Sequence, residues 1–207
     1  MNLHTATRIL IMGSAYTVLH KLAHSFFPPL RFSETGGAIT SVLWLIATAA
    51  LILFAYQFLT ELSPRDKRLR YSLVSVIVFT GIVIVSKLPL WPMSDTGFVH
   101  RLLLGIASLC NTLAILVFLL SLARHVARNS TLWTPLRGSI WAFGATAVLG
   151  LVSISFFLLY LIAGKELEPF PFLQPLSMLV FLLTYGMTIW FLTQFRRISN
   201  YEDIVPR

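Results

Sequence analysis

A short polar connector between two long apolar runs holds most of the ionisable side chains that this sequence could use for chemistry. Within residues 86–101 it contains Lys87, Asp95, His100 and Arg101. A second cluster, His20-Lys21-Leu22-Ala23-His24, lies late in the first apolar run. Ionisable groups at membrane depth are costly and commonly mark a functional site, so we interpret the two clusters as parts of one polar pocket.

The histidines of the first run could bind a metal ion. His20 and His24 are four residues apart, which places them on one face of a helix and one turn from each other. This spacing occurs in helical zinc sites when further ligands come from elsewhere in the chain. Three imidazoles and one carboxylate suit zinc or another divalent transition metal. The candidate metal ligands are therefore His20, His24, Asp95 and His100.

The same clusters could instead bind an anion. Lys21, Lys87 and Arg101 supply positive charges near the start of the fourth apolar run, where the positive pole of a helix would also favour an anion. Trp91 and other aromatic residues could line an apolar groove, although aromatic residues are enriched at every membrane interface. This alternative predicts an anionic, lipid-derived ligand with contacts to Lys21, Lys87, Trp91 and Arg101.

Three further interpretations stay open. A metal-bound water could act as the nucleophile of a metal-dependent hydrolase of membrane lipid, although the sequence identifies no catalytic residue. A b-type haem could lie between His100 and a histidine of the first run, but no two helices offer paired histidines at both membrane depths. A compact bundle could also be a small carrier, a homo-oligomer or a subunit of a larger membrane assembly.

The elements that must position these groups are membrane-spanning helices. The chain has 207 residues, of which 57% are hydrophobic and 12% are charged, whereas about a quarter of a typical soluble domain is charged. A span needs about 20 mostly apolar residues. The sequence predicts one all-α domain over residues 1–207, a bundle of six transmembrane helices in the cell's inner membrane, with spans at 8–27, 39–62, 71–91, 98–123, 136–163 and 173–195.

The distribution of charge predicts the orientation of the bundle. A net charge of +8 would suggest nucleic acid as the partner of a soluble protein, but here the basic residues flank apolar runs, so we expect membrane lipids and no nucleic acid. By the positive-inside rule both termini are cytoplasmic, and the two ionisable clusters then share the outer face. The cytoplasmic side would hold eleven of the sixteen basic residues: Arg8, Arg65, Lys67, Arg68, Arg70, Arg124, Arg128, Arg137, Arg196, Arg197 and Arg207.

Small and weakly polar residues recur within the later spans. In lipid, such side chains allow helices to approach closely, so we assign them to helix packing. For Tyr185, Gly186 and Thr188 in the sixth run a packing role is also favoured, with the lining of a path as the alternative. The residues of the fourth and fifth runs are Gly105, Ser108, Asn111, Thr112, Gly138, Gly144, Gly150 and Ser153.

The connector into the fourth run resembles the pattern in a family of uncharacterised six-helix bacterial membrane proteins, domain of unknown function nine-nine-eight. The shared positions are Pro92, Asp95 and His100, the last of which opens the helix. The order of six spans and the basic cytoplasmic loops are similar too, so the resemblance covers most of the chain in outline. It implies a six-helix membrane architecture and a role for Asp95 and His100, and it implies no particular activity.

Overall fold

Six α-helices make up the fold. A computed structural model describes residues 2–26, 34–62, 66–87, 97–163 and 173–198, and no β-strand occurs among them. The helices are α1 (Leu3–Phe26), α2 (Glu34–Leu62), α3 (Lys67–Lys87), α4 (Gly97–Leu122), α5 (Trp133–Ala163) and α6 (Leu173–Arg197). The predicted all-α class is thereby confirmed.

Five of these helices, α2 to α6, are long and apolar enough to cross a membrane. The helix outside this group is α1, whose 24 residues extend about 36 Å and so suffice in length. Its composition differs because Arg8, His20, Lys21 and His24 interrupt the apolar residues. The protein is therefore a membrane protein in which polar residues interrupt the apolar sequence of α1.

Two helices, α1 and α3, begin before their apolar runs, at polar residues that cap them. At the start of α1, the Asn2 side-chain oxygen accepts hydrogen bonds from the backbone N–H and the hydroxyl of Thr5, at 2.9 and 2.7 Å. At the start of α3, an Asp66 carboxylate oxygen accepts the backbone N–H of Arg68 at 2.8 Å. Such caps satisfy donors that the first turn leaves unpaired. The described part of α3 ends at Lys87, before the predicted limit of residue 91.

The helices form a closed ring in chain order. Each helix packs on its neighbours in sequence, and α1 packs on α6 to close the ring. Successive helices run antiparallel, so the start of α1, the α2–α3 and α4–α5 connections and the end of α6 share one end of the bundle. We call this the basic end, and the other the opposite end. The side of the membrane that the basic end faces stays a prediction.

Contacts between polar groups join the helices at the basic end. The Leu3 backbone N–H donates to Glu61 Oε1 at 2.6 Å, and Arg196 Nε donates to His4 Nε2 at 3.0 Å. His125 Nε2 lies 2.9 Å from Asp66 Oδ2. The Arg68 backbone N–H and then the His125 ring hold the pKa of the Asp66 carboxyl below its ordinary value of 3.8.

Beneath this polar layer lies a cluster of four phenylalanines from α2, α4 and α6. Phe58 and Phe195 are fully buried and stack with ring centroids 5.8 Å apart. Phe118 meets the edge of Phe58 at 5.6 Å, and Phe54 lies 6.0 Å from Phe195. We call Phe54, Phe58, Phe118 and Phe195 the aromatic cluster. It fills the centre of the ring near the basic end.

Glycines allow close helix contacts elsewhere. A Cβ on Gly13 of α1 would lie 3.1 Å from the Cα of Ala47 on α2. On α5, a Cβ on Gly138 would meet a methionine sulfur at 2.7 Å, and one on Gly150 a leucine methyl at 3.2 Å. Gly144 has nothing within 4 Å of that position. Close packing thus applies to Gly138 and Gly150, whereas Gly144 borders open space.

Candidate functional site

The ring encloses a cavity of about 780 Å³ that is lined by residues from all six helices. On α1 the lining residues are Leu10, Ser14, Thr17 and Lys21. Their spacing of three or four residues places them on one face of the helix. The volume lies within the roughly 300–1,000 Å³ of typical small-molecule sites, so the cavity is the candidate functional site.

The cavity runs along the axis of the bundle. At its floor, Phe54 and Phe118 of the aromatic cluster separate it from the basic end. Towards the opposite end its lining reaches Lys21, Trp44 and Val83, which we call the rim. Lys21 is five residues before the end of α1, or about 8 Å by helical rise. The lining also reaches Leu119 and Leu192, near the ends of α4 and α6 at the basic end, so the cavity spans the middle of the bundle and extends towards both ends.

The lining combines an apolar surface with a few polar groups. Most of its side chains are aliphatic or aromatic, and its polar members are mainly serine and threonine hydroxyls. Among the described residues that line it, Lys21 alone carries a full charge, and none carries a carboxylate. Such a surface can accommodate an apolar chain and can place one positive charge next to an acidic group.

Of the predicted site residues on α1, Lys21 lines the cavity and His20 does not. His20 lies about 100° round the helix from Lys21, and its ring is 5.8 Å from that of Tyr16. His24 belongs to the last turn of α1, but its side chain lies outside the described part of the structure. A pocket that His20 and Lys21 share stays a prediction.

The remaining predicted residues lie at the opposite end of the bundle or outside the described residues. Lys87 is the last residue of α3 and Arg101 belongs to the first turns of α4, while the side chains of both are outside the described set. His100 is half-buried on α4. Trp91 and Asp95 fall within residues 88–96, which are also outside it.

The structure bears on the metal hypothesis only in part. Within the described ranges, no three His, Cys, Asp or Glu side chains come together in a way that could hold a metal ion. The helix α1 packs on α2 and α6, which places α4 across the ring from it. Asp95 and the side chain of His24 are not described, so the zinc site of His20, His24, Asp95 and His100 stays a prediction, as does a haem site.

Sequence reasoning missed the main polar surface of the site. Ser108, Asn111 and Thr112 of α4 were assigned to helix packing, and Tyr185 and Thr188 of α6 were assigned mainly to packing, yet all five line the cavity. The pattern that could have identified the cavity is the spacing of polar residues, which occur every three or four positions on several helices. One such stripe is consistent with packing, whereas stripes on α1, α4, α5 and α6 together indicate a shared interior.

Comparisons with models of protein families, with curated proteins and with solved structures find no match for this chain. The resemblance to the uncharacterised six-helix family therefore stays a prediction.

Proposed function

We propose that the central cavity binds an anionic amphiphile derived from membrane lipid, and that Lys21 contacts its acidic group. The observation that carries this proposal is the position of Lys21 at the rim of a largely apolar cavity of about 780 Å³. The protein is then a lipid-binding protein of the cell's inner membrane, with its basic end on the cytoplasmic side according to the positive-inside rule.

Charge favours an anion over a cation. The described lining includes one lysine and no carboxylate, so the charge that it presents to a ligand is positive. Hydrogen bonds between charged groups are about twice as strong as neutral ones, which favours an acidic group at the rim.

The apolar part of the lining favours an acyl chain. Below Lys21 the cavity lining includes the apolar residues Phe54, Phe118 and Leu192. Apolar side chains here make the cavity suitable for hydrocarbon, while the surrounding bilayer supplies amphiphiles with one acidic head and one long chain. Lys87 and Arg101, which belong to the same end of the bundle, would add positive charge near the head group.

Binding of radiolabelled oleate to the purified full-length protein in neutral detergent tests the proposal. We expect saturable binding by the wild-type protein, and a loss of affinity of about tenfold or more in Lys21→Met, since a hydrogen bond to a charged group contributes about 1.5–3 kcal/mol. Lys21→Arg keeps the charge and should keep most of the affinity.

Two controls define the result. Arg8→Met removes an exposed positive charge from α1 near the basic end and should leave oleate binding unchanged. Methyl oleate lacks the acid and should compete equally well in the wild-type protein and in Lys21→Met. Absence of saturable oleate binding, or equal affinity in the wild type and Lys21→Met, would refute the proposal.

A further inference from the structure

We infer that Ser14, Asn111 and Tyr185 form a second ligand-binding tier halfway down the cavity, which selects amphiphiles with a hydroxyl or carbonyl oxygen near the middle of the chain. The inference rests on the proposed function and deepens it. It concerns three neutral residues, on α1, α4 and α6, that all line the cavity. We call them the middle tier.

The three residues lie at one depth. Counted along each helix from the opposite end of the bundle, Ser14 is about 18 Å in, Asn111 about 21 Å and Tyr185 about 18 Å. Lys21 is seven residues from Ser14 on the same face of α1, which corresponds to about 10 Å along the axis. The middle tier therefore lies near the centre of the bilayer, about 10 Å below Lys21 at the rim.

The hydrogen bonds of Asn111 leave its amide hydrogens available. The hydroxyl of Thr80, which is completely buried, donates to Asn111 Oδ1 at 2.9 Å. This bond uses one of the two lone pairs of the amide oxygen and orients the amide group. Within the described ranges Asn111 has no other side-chain hydrogen bond, so its NH₂ group can donate to an oxygen in the cavity.

Ser14 and Tyr185 supply further polar groups. Ser14 is only 6% exposed, and neither hydroxyl has a hydrogen-bond partner in the described part of the chain. Both residues line the cavity, so their hydroxyl groups can form hydrogen bonds with a ligand oxygen, or with a water that the ligand displaces.

Most other hydroxyls along the cavity are already committed to their own helices. They donate to the backbone carbonyl four residues earlier, which is the usual arrangement for serine and threonine in membrane helices. The middle tier differs in that its polar atoms are not satisfied this way. The committed hydroxyls belong to Thr17, Thr48, Thr112, Ser139, Ser153 and Thr188.

The chemistry of the middle tier specifies a neutral oxygen. None of its three side chains is charged, and a charged group at this depth would be costly without a partner. The amide of Asn111 donates, and a hydroxyl or carbonyl oxygen accepts. A fatty acid whose carboxylate meets Lys21 would carry such an oxygen near the middle of its chain, about 10 Å from the acid.

A competition assay tests this selectivity. The probes are stearate, stearate hydroxylated near the middle of its chain, and stearate hydroxylated beside the carboxylate, each displacing radiolabelled oleate from the full-length protein. We expect the mid-chain hydroxyl to improve affinity over stearate about three- to tenfold, the range of a single net hydrogen bond. The hydroxyl beside the carboxylate should give no such gain, because it lies at the level of the rim.

Substitutions then assign the effect to the middle tier. Asn111→Leu should reduce the preference to about one without weakening the binding of stearate. Thr112→Val is the matched control, since its hydroxyl lines the cavity but is bonded within α4, and it should retain the preference. Ser14→Ala and Tyr185→Phe each remove one hydroxyl and should each lower the preference, which keeps the test decisive if Asn111→Leu fails to fold.

The outcomes separate the two proposals. If oleate does not bind at all, the proposed function fails. If oleate and stearate bind in a Lys21-dependent manner but the wild-type protein shows no preference for the mid-chain hydroxyl, the middle tier alone is refuted. The same conclusion follows if the preference survives Asn111→Leu, or survives both Ser14→Ala and Tyr185→Phe.

Discussion

Removal of one ring from the aromatic cluster should strongly destabilise the bundle. Phe58 is 0% exposed and contacts the rings of Phe54, Phe118 and Phe195 with centroid separations of 5.9, 5.6 and 5.8 Å. Each aromatic pair contributes about 0.5–1.5 kcal/mol beyond its buried area, and Phe→Ala in a soluble core costs about 3–5 kcal/mol. When the helices of a membrane protein separate, the Phe58 side chain stays in hydrocarbon. Much of the free energy of transfer from water, which is part of the cost in a soluble core, is therefore absent. We therefore expect Phe58→Ala to lower the free energy of unfolding by about 2–4 kcal/mol.

Equilibrium unfolding in mixed micelles of neutral detergent and dodecyl sulfate, followed by far-ultraviolet circular dichroism, would measure this change. Tyr56→Ala is the control on the same helix, because Tyr56 is 55% exposed and its replacement should change the free energy by less than about 0.5 kcal/mol. Equal costs for Phe58→Ala and Tyr56→Ala would refute the assignment of the aromatic cluster as the packed floor of the cavity.

Two further predictions concern other contacts. Gly13→Ala should destabilise the protein by about 1–3 kcal/mol, because the new Cβ would lie 3.1 Å from the Ala47 backbone. Gly144→Ala should be neutral or stabilising by up to about 1 kcal/mol. The same unfolding assay compares the two variants, and equal effects would contradict the close α1–α2 contact. The lowered pKa of Asp66 means that its stabilising contacts are fully present above its ordinary pKa of 3.8 and are lost as the pH falls through the lowered value. The melting temperature of the wild-type protein should therefore fall below pH 4 more steeply than that of Asp66→Asn, and parallel pH profiles would contradict the contribution of the Asp66–His125 contact.

The described helix ends could be predicted from sequence to within five residues. The predicted span 173–195 compares with α6 at Leu173–Arg197, and 98–123 with α4 at Gly97–Leu122. Long apolar runs leave few alternatives to a membrane helix, since backbone groups in hydrocarbon must bond within the segment. The largest errors lie at starts such as that of α1, where Asn2 caps the helix within polar sequence.

The inward faces of the helices could not be predicted as well. In a soluble protein the core face is apolar and the outer face is polar, whereas here lipid and core both accept leucine. Leu103 is 57% exposed while Leu119 is 4% exposed on the same helix, and nothing in their side chains distinguishes them. The positions of polar residues indicate which helix faces point inwards. A single sequence, however, does not distinguish a hydroxyl that packs against another helix from one that lines a cavity.

Of the candidate site, the sequence predicts Lys21 but not the depth of the cavity. A lysine within an apolar run is costly and therefore a candidate for a functional role, and its contact with an anion stays a prediction. Asn111, Ser14 and Tyr185 lie on three helices that are far apart in the chain, so their common depth becomes apparent only once the ring is assembled.

The packing of α1 on α6 has a consequence for biogenesis. When α1 enters the membrane, the helix that will complete its surroundings has not yet been synthesised. Until α6 arrives, the face of α1 that carries Ser14 borders acyl chains, which are a poor environment for a hydroxyl group. Nascent chains that terminate before residue 173 would keep that face in contact with lipid, and this makes insertion of α6 the step that distinguishes a finished protein from one that a cell can recognise as incomplete.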